Sequence, residues 1–241
     1  MKVTALIVSL GLAVSALADA GGGAAFVAHE SDEHYEIIDR YLNATESNKP
    51  SGIQMDAQID AELPKLRKKG RLEALRMVSK LGKITWDHLH FSGDDTIKKE
   101  VIARFVQAEQ EQTDTRKMAI TRENYRFKYK GLENRGGQRV YVYHLTPKKK
   151  LADLFKGELW LDADSYLPVH EAGTFIKTRS IFLKKVQFAR DYEMVNGYSV
   201  PKHVESQAET RFWGPAQVTI HYNNLVKSGT DEAVGTMPEQ P

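Results

Sequence analysis

Alternation of apolar and polar residues runs through most of the chain and predicts a β-rich fold. The clearest case is 52–63, where every odd position from Ile53 to Leu63 is apolar and the even positions between them are polar. This period of two is typical of a strand with one buried and one solvated face. Three further long runs follow residue 182, separated by Asn196-Gly197 and Gly214-Pro215. Because both pairs have turn-forming composition, the runs predict an antiparallel meander.

The same pattern predicts about eleven strands in all. Before the meander they are 52–63, 71–79, 83–91, 118–121, 124–130, 138–146, 157–162 and 167–176. The meander itself ends near Val226. A single sheet of this many strands has to curl, because strand twist accumulates across it.

Two stretches have the period of an amphipathic helix instead. The first is predicted over 32–47, with Ser31 or Asp32 as its N-cap. The second follows the third strand and places Val101 and Phe105 on its apolar side. The expected fold class is therefore mainly β with two helices: a curved antiparallel sheet forms an incompletely closed barrel, and the helices cover its concave face.

The two ends of the chain differ in composition from the rest. Lys2, an uncharged run up to Ala18 and the small residues that follow predict a signal peptide over 1–20, with an uncleaved anchor as the alternative. We expect a flexible spacer over 21–31, one domain over 32–226, and a polar, disordered tail over 227–241. The chain has no cysteine, and with an export signal this favours a bacterial periplasm.

Charge excludes one class of partner. The net charge is +2 and the two signs are interspersed, so nothing indicates a nucleic-acid-binding surface. The one dense basic run is Lys148-Lys149-Lys150 after Thr146-Pro147. It is typical of a solvated strand end, with contact to anionic lipid as the alternative.

Three motifs in the second half resemble a known family. They are Gly157-Glu158-Leu159-Trp160-Leu161-Asp162, then Leu167-Pro168-Val169-His170-Glu171, then Gly197-Tyr198-Ser199-Val200-Pro201. A strand with an aromatic residue and an aspartate, a proline-containing strand and a Gly-x-x-Val-Pro entry to a late strand are similar to the LolA/LolB-like superfamily of periplasmic lipoprotein-sorting proteins. The resemblance covers about residues 52–226.

The resemblance implies an open barrel whose apolar cavity accepts acyl chains of lipoproteins or other lipids. It implies a non-catalytic carrier, with transient membrane contact, no cofactor and no metal. The superfamily also contains sensors that bind lipoprotein or envelope-stress ligands without transporting them. The alternative function is therefore an envelope sensor or a structural interaction protein that binds a protein partner without transport. The candidate cavity residues are Val101, Phe105, Phe182, Val186, Phe188, Tyr192, Val204, Phe212, Val218, Ile220 and Tyr222. The alternative is that these residues fill one another's gaps as an ordinary core, and for any one of them the sequence favours core packing.

Catalytic patterns are sparse. The chain contains no Gly-x-Ser-x-Gly, His-Glu-x-x-His or Gly-x-x-x-x-Gly-Lys motif. A hydrolase would need either a metal at His88 and His90, predicted to share one strand face with Trp86, or an acid pair such as Asp162 and Glu171. The two carboxylates are better explained as residues that shape a turn. We therefore expect a protein that is not an enzyme.

Overall fold

The computed structural model describes residues 23–111, 118–178 and 183–227. Its ten strands are β1 (Ile53–Leu63), β2 (Lys68–Val78), β3 (Ile84–Gly93), β4 (Tyr125–Arg135), β5 (Gln138–Pro147), β6 (Phe155–Asp162), β7 (Pro168–Phe175), β8 (Leu183–Val195), β9 (Tyr198–Thr210) and β10 (Pro215–Lys227). The helices are α1 (Gly23–Ser47), α2 (Asp95–Ile97) and α3 (Ala103–Gln110), with a π-helical turn over Lys98–Ile102 and a 3-10 turn over Pro64–Leu66.

All ten strands form one antiparallel sheet in the order β3-β2-β1-β10-β9-β8-β7-β6-β5-β4. The sheet is curved and open, with β3 and β4 as its two edges, so the predicted incompletely closed barrel is confirmed. The predicted strand count is one too high, because residues 118–121 form a turn. The Asn124 side-chain amide donates to the Ala119 carbonyl at 2.9 Å, and the Tyr125 N–H donates to the Thr121 carbonyl at 2.9 Å.

The Asn196-Gly197 turn joins β8 to β9 as the sequence predicts. Asn196 has φ 53° and Gly197 has φ 83°. Two consecutive residues in the left-handed region give a turn whose twist matches that of the flanking strands. This turn aligns two strands of thirteen residues each.

Helix α1 is longer than predicted. It begins at Gly23, so Ser31 and Asp32 lie inside it and neither caps it, and it crosses most of the stretch expected to be a spacer. Residues up to Ile37 and residues from Ile38 onward form two compact units, and the sheet belongs to the second. The predicted signal peptide and the tail beyond residue 227 lie outside the described residues. None of the described helices is both long enough and apolar enough to cross a membrane.

The second helical segment, residues 95–110, packs on β1, β2 and β3. Asp94 caps its start by accepting hydrogen bonds from the N–H groups of Thr96 at 2.8 Å and Ile97 at 3.4 Å. The π-helical turn inserts an extra residue, which changes the helical period. The fully buried positions are therefore Ile97, Ile102 and Val106, while Val101 and Phe105 are only partly buried.

The side chains of strand β3 do not alternate regularly between the two faces of the sheet. The register with β2 shifts between Glu73 and Leu75, and His88 adopts φ 50°. This bulge means that His90 pairs with Glu73, whose side chain is exposed, whereas Trp86 faces the core. The prediction that His88 and His90 share the face of Trp86 is therefore wrong, because an inserted residue reverses the alternation.

Candidate functional site

The inner face of the sheet is mostly apolar. One continuous row of cross-strand neighbours crosses it: Leu72, Ile59, Ile220, Val204, Arg190, Glu171, Leu159 and Tyr143. The two charged members stand next to each other on β8 and β7. The alternation therefore continues across both halves of the sheet, with one ion pair in the middle.

Small side chains form a furrow along the inner face of β9. Its floor is Val204, Ser206 and Ala208, all partly exposed. Strand β8 flanks it with Val186, Phe188 and Arg190, and β10 flanks it with Ala216, Val218 and Ile220. Ser206 lies between the larger Phe188 and Val218, and Ala208 lies beside the larger Val186, so the floor is lower than the flanking side chains at these positions. The second helical segment packs on β1 to β3 and leaves this part of the sheet accessible.

Arg190 stands at one end of the furrow, directly across from Val204. Its Nη1 atom donates to the Tyr192 hydroxyl at 3.2 Å and to Glu171 Oε2 at 3.4 Å. Interaction with the Tyr192 phenol and the Glu171 carboxylate raises the pKa of Arg190, in spite of desolvation. Glu171 is only 7 % exposed, whereas the Arg190 side chain remains partly accessible. A guanidinium that is paired with a carboxylate therefore lies at the end of the furrow.

The last turns of α1 lie near the ion pair of Arg190 and Glu171. Tyr41 is buried, and burial together with the Glu171 carboxylate raises its pKa well above the ordinary tyrosine value. Two exposed residues of this helix also form hydrogen bonds. Asp39 accepts one from Arg122 at 2.8 Å, and Arg40 donates one to the Tyr166 hydroxyl at 2.9 Å.

A second buried ion pair ties α3 to the sheet. Arg76 of β2, 8 % exposed, donates from Nε and Nη2 to the two Glu109 oxygens at 3.1 and 2.9 Å. The Trp86 indole N–H donates to Glu109 Oε2 at 3.0 Å. Burial disfavours the charged guanidinium, but Glu109 more than offsets this and raises the pKa of Arg76. The Arg76 guanidinium also lies 5.5 Å from the centre of the Tyr222 ring.

Tyr222 provides a pH-dependent test of this packing. Burial, aided by Glu109, raises its pKa to about 12. A raised pKa keeps the protonated phenol favoured in the folded state, so this stabilisation is complete below pH about 10 and is lost as pH rises through about 12. The unchanged protein should lose free energy of unfolding between pH 8 and pH 11.5. In the Tyr222→Phe variant this loss should be smaller by about 2 kcal/mol. Urea denaturation at the two pH values measures it, and an unchanged loss would show that Tyr222 ionises freely.

The structure brings most of the predicted cavity residues together, but in three environments. Val186, Phe188, Val204, Val218 and Ile220 lie in and around the furrow. Two of the others, Val101 and Phe105, lie on the second helical segment and pack on the core. The Tyr222 ring lies under the Arg76 guanidinium, and the Tyr192 hydroxyl accepts a hydrogen bond from Arg190. Phe212 is 72 % exposed at the β9–β10 turn, away from the inner face, and Phe182 lies outside the described residues.

The two carboxylates considered as an acid pair have separate roles. Asp162 shapes the β6–β7 turn, because its Oδ1 accepts hydrogen bonds from the Ser165 N–H at 2.7 Å and the Ser165 hydroxyl at 2.8 Å. Glu171 faces the interior instead and pairs with Arg190. In the part of the chain that the structure describes, no group of three metal-ligating side chains is close enough to hold an ion.

Sequence reasoning missed both arginines of the inner face. Arg76 occupies the apolar phase of β2, between Ala74 and Val78, and Arg190 continues the apolar phase set by Val186 and Phe188. A charge in the buried phase of an otherwise regular strand needs a buried partner. This signal could have marked both positions, although it could not have identified Glu109 or Glu171 as the partners.

A pocket of about 290 Å³ lies elsewhere, near the β2–β3 turn. It is lined by Gly52, Ile53, Met77, Val78, Ser79, Lys80 and Thr85. None of the predicted cavity residues contributes to it. It is therefore separate from the furrow.

Comparison with known proteins gives similarity in fold. Neither a protein-family model nor a curated relative matches the sequence. A DUF1329 family protein from Desulfovibrio piger is 13 % identical with a TM-score of 0.44, and the match covers 83 % of this chain and 94 % of that one. A domain provisionally named an outer membrane lipoprotein-sorting protein, from Vibrio parahaemolyticus, is 15 % identical with a TM-score of 0.41, covering 81 % and 94 %.

A LolA superfamily protein from Nitrosomonas europaea is also similar in structure. It is 12 % identical with a TM-score of 0.39, and the match covers 79 % of this chain and 91 % of that one. The name of that protein is that of the superfamily which the three sequence motifs resemble.

Proposed function

We propose that this protein is a periplasmic, non-catalytic carrier that binds acyl chains of lipoproteins or other lipids in the furrow of β9. The observation that supports it is the partly exposed floor of small side chains, Val204, Ser206 and Ala208, between the apolar walls of β8 and β10. Burying an acyl chain there releases about 0.8 kcal/mol per CH₂ group, so affinity needs few polar contacts. Arg190 at its end offers a cation to an anionic or ester head group.

The second helical segment would act as the movable wall of the site. It begins at a capped turn and is anchored on the sheet by the ion pair between Arg76 and Glu109. Moving it outward would expose Val101 and Phe105 to a longer chain, and would break that ion pair. Breaking a buried pair is costly, so ligand uptake and release would depend on it.

Binding of radiolabelled palmitate, measured by equilibrium dialysis, tests the furrow. Ser206→Phe should fill the floor and weaken binding at least about tenfold, since displacing two CH₂ groups is enough for this. Gln207→Phe is the matched control, because it adds the same ring one residue away on the exposed outer face. It should bind palmitate like the unchanged protein.

Two outcomes would contradict the proposal. One is the absence of saturable palmitate binding by the unchanged protein, which would redirect attention to a protein partner. The other is equal binding by the Ser206→Phe and Gln207→Phe variants when both unfold at the same urea concentration as the unchanged protein. Native mass spectrometry after exposure to envelope lipid extract would then identify the natural ligand class.

A strand-adding protein partner is less well supported by the structure. The edge strand β4 has a register shift at Gly131 and carries the exposed residues Lys128 and Lys130. The other edge, β3, has the bulge at His88. Bulges and lysines at a sheet edge discourage pairing with another strand.

A further inference from the structure

Four connections lie at the same end of the sheet, because consecutive antiparallel strands alternate in direction. They are the turn at residues 64–67, the loop 148–154, the segments on either side of residues 179–182, and the turn 211–214. We call their described residues the basic rim. Strand β9 ends here at Thr210, two residues after Ala208 in the furrow. The furrow therefore points toward this rim.

Contacts between neighbours make the basic rim one continuous surface. The two turns of β1–β2 and β9–β10 touch, since a Cβ atom on Gly214 would lie 2.5 Å from the Lys65 Cδ atom. Leu183 pairs with Thr210 in the sheet. The Asp153 N–H donates to the Lys177 carbonyl at 3.3 Å.

Large apolar side chains protrude from this surface. Phe212 is 72 % exposed and Leu66 is 44 % exposed, at the tips of two adjoining turns. Ile176 and Leu151 are exposed on the next two connections. Each connection of the basic rim thus presents one apolar residue to solvent.

Basic residues surround these tips. Lys65 and Arg67 flank Leu66, and Lys177, Lys184 and Lys185 flank the next connection, all exposed. Within the described residues, no salt bridge involves any of these five side chains. Two acidic residues lie among them, Glu209 across from Lys185 in the sheet and Asp153 in the loop 148–154. Other carboxylates at this end pair with other lysines: Glu62 with Lys69 at 2.9 Å, Asp94 with Lys68 at 3.3 Å, and Glu123 with Lys149 at 3.3 Å.

The opposite end of the sheet shows a different arrangement. There three basic residues pair with carboxylates: Arg139 with Asp164 at 3.3 Å, Lys202 with Glu193 at 2.9 Å, and Arg135 with Glu133. Lys80 and Lys83 of the β2–β3 turn are exposed and form no salt bridge among the described residues, so the basic rim differs in carrying the larger group of such side chains. This asymmetry suits a planar anionic surface facing one end of the sheet.

We infer that the basic rim docks on the surface of an anionic phospholipid bilayer. Phe212 and Leu66 enter the boundary between head groups and acyl chains, while Lys65 and Arg67 stay with the phosphates. Docking goes beyond the proposed acyl binding, since it depends on other residues. If both hold, the furrow meets the bilayer from which a lipid would be drawn.

Co-sedimentation with vesicles tests the charge. The protein is produced from its full 241-residue sequence and used as the producing cell processes it. We expect binding to mixed phosphatidylcholine and phosphatidylglycerol vesicles, no binding to phosphatidylcholine alone, and loss of binding at high salt. The double variant Lys65→Glu/Arg67→Glu should weaken binding at least about tenfold. The matched variant Lys80→Glu/Lys83→Glu changes the net charge equally at the opposite end and should bind like the unchanged protein.

The apolar tip is tested by Phe212→Ser against Leu81→Ser. Leu81 is 97 % exposed at the β2–β3 turn of the opposite end, so both variants remove an exposed apolar side chain. Phe212→Ser should weaken vesicle binding several-fold and Leu81→Ser should not. Equal effects at both ends, equal binding to neutral and anionic vesicles, or no vesicle binding at all would overturn docking. Palmitate dialysis on the same variants separates the two proposals, because the rim variants should keep palmitate binding.

Discussion

Glu109→Ala should lower the free energy of unfolding by about 3–5 kcal/mol, among the largest effects expected of a single substitution in this protein. The carboxylate accepts two hydrogen bonds from Arg76 and one from the Trp86 indole. Removing it leaves a guanidinium 8 % exposed with its charge uncompensated. Urea denaturation followed by circular dichroism measures the loss.

Two variants make this result specific. Glu100→Ala removes a partly exposed carboxylate that pairs with Arg104 at 2.7 Å on the same helical segment, and should cost no more than about 0.5 kcal/mol. Arg76→Met/Glu109→Leu replaces the buried pair by apolar side chains and should recover most of the lost stability. A Glu109→Ala variant as stable as Glu100→Ala would mean that the ion pair does not form in solution.

Phe188→Ala should cost about 3–5 kcal/mol if Phe188 is part of the packed core. Its ring centre lies 4.9 Å from that of Phe155 and 4.8 Å from that of Phe175, and its side chain is buried. Truncation would leave a cavity that two rigid aromatic neighbours on β6 and β7 cannot fill. The same denaturation experiment measures this cost.

Met194→Ala, on the same strand but exposed, is the control and should change stability by no more than about 0.5 kcal/mol. The comparison also decides between the two roles that sequence left open for Phe188. A cost below about 1 kcal/mol would contradict the core assignment and place Phe188 on the surface of an open cavity.

Much of the fold follows from periodicity. Strand β1 begins and ends within one residue of its predicted bounds, and the turn at Asn196-Gly197 joins the predicted strands. These features depend on local chemistry, since a period of two and a turn dipeptide each act within a few residues. Local irregularities were missed for the same reason. The bulge at His88 and the π-helical turn at Lys98–Ile102 depend on packing against β2 and β1.

The sequence by itself determined the elements, the single curved sheet and the set of apolar residues that face its inside. Only the tertiary structure decided which of those residues meet. It pairs Arg190 with Glu171 nineteen residues away, and Arg76 with Glu109 thirty-three residues away. It also places Phe212, an expected lining residue, in the exposed β9–β10 turn. The physical reason is that alternation specifies a face, whereas cross-strand register and helix docking, which depend on the whole sheet, specify neighbours.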